Sequence, residues 1–163
     1  MARIEPIVSR INLFGHPLHP ALVHFPIAAL VGLVGTDLAY VFTGDFFWAR
    51  VGLWLAGTGA IGGTIAGLVG LVDLLTVRRI RRLVMAGIHA LLAVMLLALA
   101  ALNWLFRFGD PAANILPWGL YLSLLSFGLI GMLGHLGARL VYEYAVGVDL
   151  EEAATAQATH PQP

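Results

Sequence analysis

The chain has no cysteine and no lysine, and only 11% of its 163 residues are charged. Without cysteine, disulfides, thiolate metal sites and cysteine nucleophiles are all excluded. Nine arginines offset nine acids to leave zero net charge, which gives no reason to expect nucleic acid or a general acidic partner. Neither a Ser/His/Asp grouping nor a paired-carboxylate signature stands out, so nothing marks an acid-base or nucleophilic enzyme. What the chain has in excess is apolar surface: 60% hydrophobic residues and a mean hydropathy of +0.88, beyond any ordinary water-soluble domain of this length.

A hydrocarbon core about 30 Å thick needs about 20 apolar residues per helix. Four such runs are present, at roughly 21–43, 50–77, 83–107 and 117–142. The first follows Arg3 and Arg10 in the manner of a signal peptide, but it is too long and lacks a small-residue cleavage site, so it reads as a retained span. Short connections, TGDFFW, RRIRR and FGDPAANILP, make sequence neighbours pack side by side. The expected fold is all-α, an integral membrane antiparallel four-helix bundle. A histidine- and proline-bearing lead-in at 1–20 precedes the bundle at 21–148, and a flexible tail at 149–163 follows it.

Arg3, Arg10, Arg78, Arg79, Arg81, Arg82 and Arg139 fall on one side and Arg50 and Arg107 on the other. Seven against two places both termini in the cytoplasm by the positive-inside rule. Trp48, Trp54, Trp104 and Trp118 lie near the opposite helix ends, as an interfacial belt would. Gly59, Gly63 and Gly67 form a small-xxx-small ridge in the second span, and Gly131, Gly134 and Gly137 a second ridge in the fourth. Tight helix packing accounts for most of them; room for a flat cofactor is the alternative.

Ionisable groups inside spans are expensive and ask for a partner or a task. His24, Asp73, His89 and His135 each lie one to two turns from the cytoplasmic end of a different helix, so by depth they share one layer. One such residue per helix at one level is what a ligand cage in a bundle core requires. Imidazole suits haem iron and the transition metals. His24 and His89, on diagonal helices, would suit b-type haem, with His16 and His19 at the rim. His24, Asp73, His89 and His135 together would suit a single transition-metal ion. Pro20 fits a first helical turn, whereas Pro26 implies that the first helix begins or bends there, leaving the early histidines on a stiff lead-in. A histidine pair could also serve as a pH-responsive gate. Asp37, about 20 Å further along the axis than His24, belongs to a separate buried pair with Arg50 or Thr58, and Asn103 at similar depth reads as interhelical glue. His160, in the tail, has no expected role.

The stretch GHPLHPALVHFPIA resembles the opening signature of a bacterial membrane-protein family known as domain of unknown function 2231. Asp37, the GLVGLVDLL stretch with Asp73, the arginine-rich turn before His89 and the closing LVYEYAVGV extend the likeness over nearly the whole chain. The resemblance implies a four-helix membrane protein and marks His16, His19, His24, Asp37, Asp73 and His89. Through relatives joined to or encoded near Rieske-type modules, it also implies an association with redox chemistry. The chain departs from the pattern at Tyr144, where relatives commonly carry histidine, and at His135, where they more often carry an aromatic residue. The leading expectation is a redox protein holding haem b or a transition-metal ion in the lipid bilayer, with a redox or membrane-complex partner. The alternatives are a cofactor-free assembly subunit, or a small-solute or metal-ion transporter acting as a homo-oligomer because four helices alone make no pathway.

Overall fold

The computed structural model describes residues 6–148; Arg3, the tail from Asp149 and His160 lie outside that range. Among the described residues, four helices have the length and apolarity to cross a bilayer: α1 (Leu18–Thr43), α2 (Phe46–Thr76), α4 (Val84–Phe106) and α5 (Leu120–Tyr142), the last extended by a π-helical turn at Ile115–Gly119. The short α3 (Arg78–Arg81) links α2 to α4. The helices pack in a ring, α1 on α2, α2 on α4, α4 on α5 and α5 back on α1, so that α1 and α4 stand diagonally opposite. This is an all-α membrane bundle, as the apolar runs require.

The tight α1–α2 turn follows from its residues. Gly44 takes the left-handed conformation (φ 66°) that ends α1, its N–H bonding to the Tyr40 carbonyl. Asp45 then caps α2, its carboxylate accepting from the Phe47 N–H at 2.9 Å.

Each span presents an inward stripe at alternating three- and four-residue steps. In α2 the stripe is Gly59, Gly63, Ala66, Gly70 and Asp73, and in α4 it is Ala86, His89, Ala93, Leu96, Ala100 and Asn103. A spacing near 3.5 keeps one seam facing the bundle axis when helices cross at a shallow left-handed angle. Leu30, Leu33, Ala56, Ala60, Leu96, Ala100 and Leu129 form the core this produces. A methyl group added to Gly59 would lie 2.4 Å from Leu30, and one on Gly63 would lie 2.7 Å from Leu97, so the α2 ridge is a helix-packing surface. On α5, by contrast, Gly131 and Gly134 meet nothing within 4 Å and face outward.

Where α1 begins differs from the sequence expectation. The helix starts at Leu18 and runs unbroken through Pro26, so His19 and His24 are helical and the irregular lead-in ends at Pro17. Pro20 lies in the first turn, where a missing N–H breaks no bond, and the Pro26 ring packs beside Gly62 and Gly63, where α2 has no side chains. The lead-in closes a small hairpin, Asn12–Leu13 against His16–Pro17, turned by Phe14 (φ 51°) and Gly15 (φ 82°). Two successive positive φ angles make the two-residue turn that matches strand twist.

The tryptophans divide. Trp54 and Trp118 are exposed where an interfacial belt would be, whereas Trp104 packs over Gly57, which has no side chain to hinder it.

Candidate functional site

Helical phase sorts the histidines. The inward stripe of α1 is Pro26, Leu30, Leu33 and Asp37, and His19, seven residues before Pro26, shares that phase. His24 precedes Pro26 by two residues, about 200° of rotation, and so points away. It is exposed, with its Nδ1 3.4 Å from the carbonyl of Ala21 on its own helix. Depth alone singled out His24; depth with phase selects His19. His135 fails the same test. It falls between the inward positions Leu133 and Gly137 of α5 and is exposed. His16 lies on the exposed hairpin, where its Nδ1 sits 2.9 Å from the Phe14 carbonyl.

Two imidazoles therefore enter the bundle at the terminal end, from the diagonal helices α1 and α4. His19 Nδ1 lies 2.8 Å from the Ala66 carbonyl of α2. A carbonyl only accepts, so Nδ1 carries a proton, and the tautomer this selects presents the Nε2 lone pair. Gly70 makes the contact possible, since a methyl group there would stand 2.9 Å from His19 Nδ1. His89 lies beside Gly137, its Cε1 3.5 Å from where a methyl group there would be, an ordinary contact distance. The terminal end of the bundle thus holds His19 against Gly70, which makes room for it, and His89 beside Gly137. The His89 Nδ1 is buried and has no hydrogen-bond partner among the described residues.

Asp73 is at this end but has other partners. Its Oδ2 accepts from Ser9 Oγ at 2.5 Å, and its Oδ1 accepts the backbone N–H of Arg10 at 2.7 Å and of Ile11 at 3.3 Å. The carboxylate therefore fastens the lead-in across the bundle mouth. Ile7 continues the strap by pairing with the chain after α5, its N–H donating to the Ala145 carbonyl and its carbonyl accepting from Gly147. Beneath it Ile7, Ile80 and Ala86 form a second, smaller core. The expected cage of His24, Asp73, His89 and His135 is not assembled, and among the described residues no three His, Asp or Glu side chains converge as metal ligands.

The opposite end holds a closed polar network. Arg107 donates from Nη1 and Nη2 to the two oxygens of Asp37 at 2.8 and 2.9 Å, and from Nε to Asn103 Oδ1 at 3.0 Å. Ser123 Oγ donates to Asp37 at 2.6 Å and accepts from Asn103 Nδ2 at 2.9 Å. All four side chains are at most 1% exposed. Arg50 and Thr58, expected as partners of Asp37, are instead exposed. Its place at the end of a span marks Arg107 as a flanking charge by sequence, yet it stands four residues after Asn103, in line with the inward stripe of α4, and is buried. Gly52 of α2 leaves room for the guanidinium, since a methyl there would lie 2.8 Å from Nη1. With the principal donors and acceptors paired, this end is a structural lock between α1, α4 and α5.

In the last turn of α5, Arg139 bonds Glu143, which lies just past the span, through Nε at 2.7 Å and Nη2 at 2.8 Å. That hydrogen bonding holds the Glu143 carboxyl below its ordinary range, with the charge of Arg139 adding to the effect.

Residues 15–150 match the sequence family described as "Predicted membrane protein (DUF2231)". No curated protein and no solved structure matches the chain.

Proposed function

Because the chain belongs to the family of predicted membrane proteins of domain of unknown function 2231, we propose that it is a multi-pass protein of the bacterial inner membrane whose His19 and His89 bind a transition-metal ion in service of redox chemistry. The observation that carries this reading is the buried, unpartnered Nδ1 of His89 opposite a His19 whose own Nδ1–H is already given to a backbone carbonyl. A buried nitrogen without a partner costs about 1–3 kcal/mol, which a bound ion would offset. Anchoring one imidazole nitrogen on a carbonyl is also how protein sites aim the other at a metal. Two nitrogen donors suit zinc, copper, iron or nickel and leave coordination positions for water or a reacting molecule. The space that Gly70 leaves is filled by the His19 imidazole itself, which favours an ion over a porphyrin of haem b.

Both termini are assigned to the cytoplasm. Arg10, Arg78, Arg79, Arg81, Arg82 and Arg139 lie at the terminal end, while at the other end Arg50 is exposed and Arg107 is neutralised inside the bundle.

The experiment is metal analysis with an absorption spectrum of protein purified in mild detergent. About one ion per chain and no Soret band is the expected result. A Soret band with stoichiometric haem would replace the ion by haem, and neither metal nor haem after reconstitution would end the cofactor reading. In that event an assembly subunit is favoured by the outward Gly128, Gly131 and Gly134, which offer α5 a flat face for another helix.

A further inference from the structure

The arginine turn joining α2 to α4 takes no part in either polar layer. Ile80 anchors it in the small terminal core, and Arg78, Arg79, Arg81 and Arg82 are all exposed around it. Two of these fold back onto the protein. Arg79 Nη1 donates to the Pro6 carbonyl at 3.1 Å, and Arg81 Nη1 to the Leu75 carbonyl at 3.3 Å, near the end of α2 where carbonyls lack helical partners. Arg78 and Arg82 make no hydrogen bond or ion pair among the described residues.

Among the described residues, no acid at this end is left to balance the charge of Arg78 and Arg82. Of the described acids at this end, Asp73 is taken by Ser9 and two backbone N–H groups, and Glu143 by Arg139. Asp37, Asp45 and Asp110 stand at the opposite end. The guanidiniums also sit above hydrocarbon: Leu75 and Val84, which flank the turn, are 57% and 77% exposed at the ends of membrane-spanning helices.

We propose that Arg78 and Arg82 form a binding site for the phosphate of an anionic phospholipid, whose acyl chains lie against Leu75 and Val84. Arg78 opens α3 and Arg82 caps its end in right-handed helical backbone (φ −81°, ψ −12°), four residues on, so the two side chains leave one side of the turn, and guanidinium matches phosphate oxygens in bidentate fashion. The apolar shoulders are what distinguish a lipid from a free anion, which would gain nothing from them. This site is independent of the histidines.

Native mass spectrometry of the full chain in neutral detergent tests it, with cardiolipin, phosphatidylcholine and inorganic phosphate as probes. Cardiolipin should bind and phosphatidylcholine should not. Arg78→Gln with Arg82→Gln should weaken cardiolipin binding roughly 30-fold, about fivefold for each charge at an anionic headgroup. Arg50→Gln should leave it unchanged. The pair Arg78→Lys with Arg82→Lys keeps the charge and should retain an intermediate affinity, which guards against a misfolded glutamine variant. Equal binding by wild type and both double variants, or equal binding of phosphatidylcholine, would overturn the site. Displacement of cardiolipin by submillimolar phosphate would overturn its assignment to a lipid.

Discussion

Asp37 and Arg107, seventy residues apart and on diagonally opposite helices, meet through two parallel hydrogen bonds of 2.8 and 2.9 Å with neither side chain more than 1% exposed. The pair crosses the bundle axis and is held by Asn103 and Ser123. Breaking a buried pair leaves the surviving charge without a counterpart, at a cost of about 3–5 kcal/mol. Asp37→Asn and Arg107→Ala should therefore each destabilise the protein on that scale in detergent unfolding assays. Arg107→Lys should not rescue, because an ammonium cannot reproduce the two-pronged contact. The double change Asp37→Leu with Arg107→Met should cost less than the two single losses added together.

Glycines along the spans should separate by what lies opposite them. Gly52→Ala drives a methyl to 2.8 Å from the Arg107 guanidinium and Gly59→Ala to 2.4 Å from Leu30, so both should lower the melting temperature. Gly131→Ala meets nothing and should be neutral or stabilising by up to about 1 kcal/mol, the helix preference for alanine. A uniform response across the three would show that ridge packing is not what the glycines serve.

The strap depends on Asp73. Asp73→Leu removes the acceptor of Ser9 Oγ and of the Arg10 and Ile11 N–H groups, so hydrogen exchange at those two amides should rise while the α2 and α4 cores stay protected. Unchanged exchange would mean that Ile7 alone holds the lead-in.

At the end of α5 the sign of the pH effect follows from Glu143. Its carboxyl is held below the ordinary range by Arg139, so the contact is present above the pKa of the unfolded chain and is lost as pH falls through the lower folded value. A carbon-detected titration of Glu143 should give a midpoint below that of a free glutamate, and Arg139→Gln should return it upward.

Much of this architecture is legible in the sequence, because spans are read from runs of apolar residues and turns from Gly44 and Asp45. The site was less so, for a physical reason. Position along a helix can be counted from its ends, but the direction of a side chain depends on phase, and His24 and His19 differ in phase far more than in depth. Had the 26, 30, 33, 37 stripe been extended backward, it would have reached His19; extended forward along α4 from Ala100 and Asn103, the same rule reaches Arg107. Asp73 could not be read this way. Its phase is inward, yet its partners come from Ser9, Arg10 and Ile11, whose path over the bundle mouth follows from the hairpin and the Ile7 pairing rather than from any helical period.

The central claim is that His19 and His89, rather than His24, form the site. Its most direct test is metal stoichiometry in four purified proteins: wild type, His19→Ala, His89→Ala and His24→Ala, each checked for folding by its helical circular dichroism. The account predicts about one tightly held ion per chain in wild type and His24→Ala, with loss in His19→Ala and His89→Ala. Retention of the ion by folded His89→Ala, or its loss in His24→Ala alone, would contradict it.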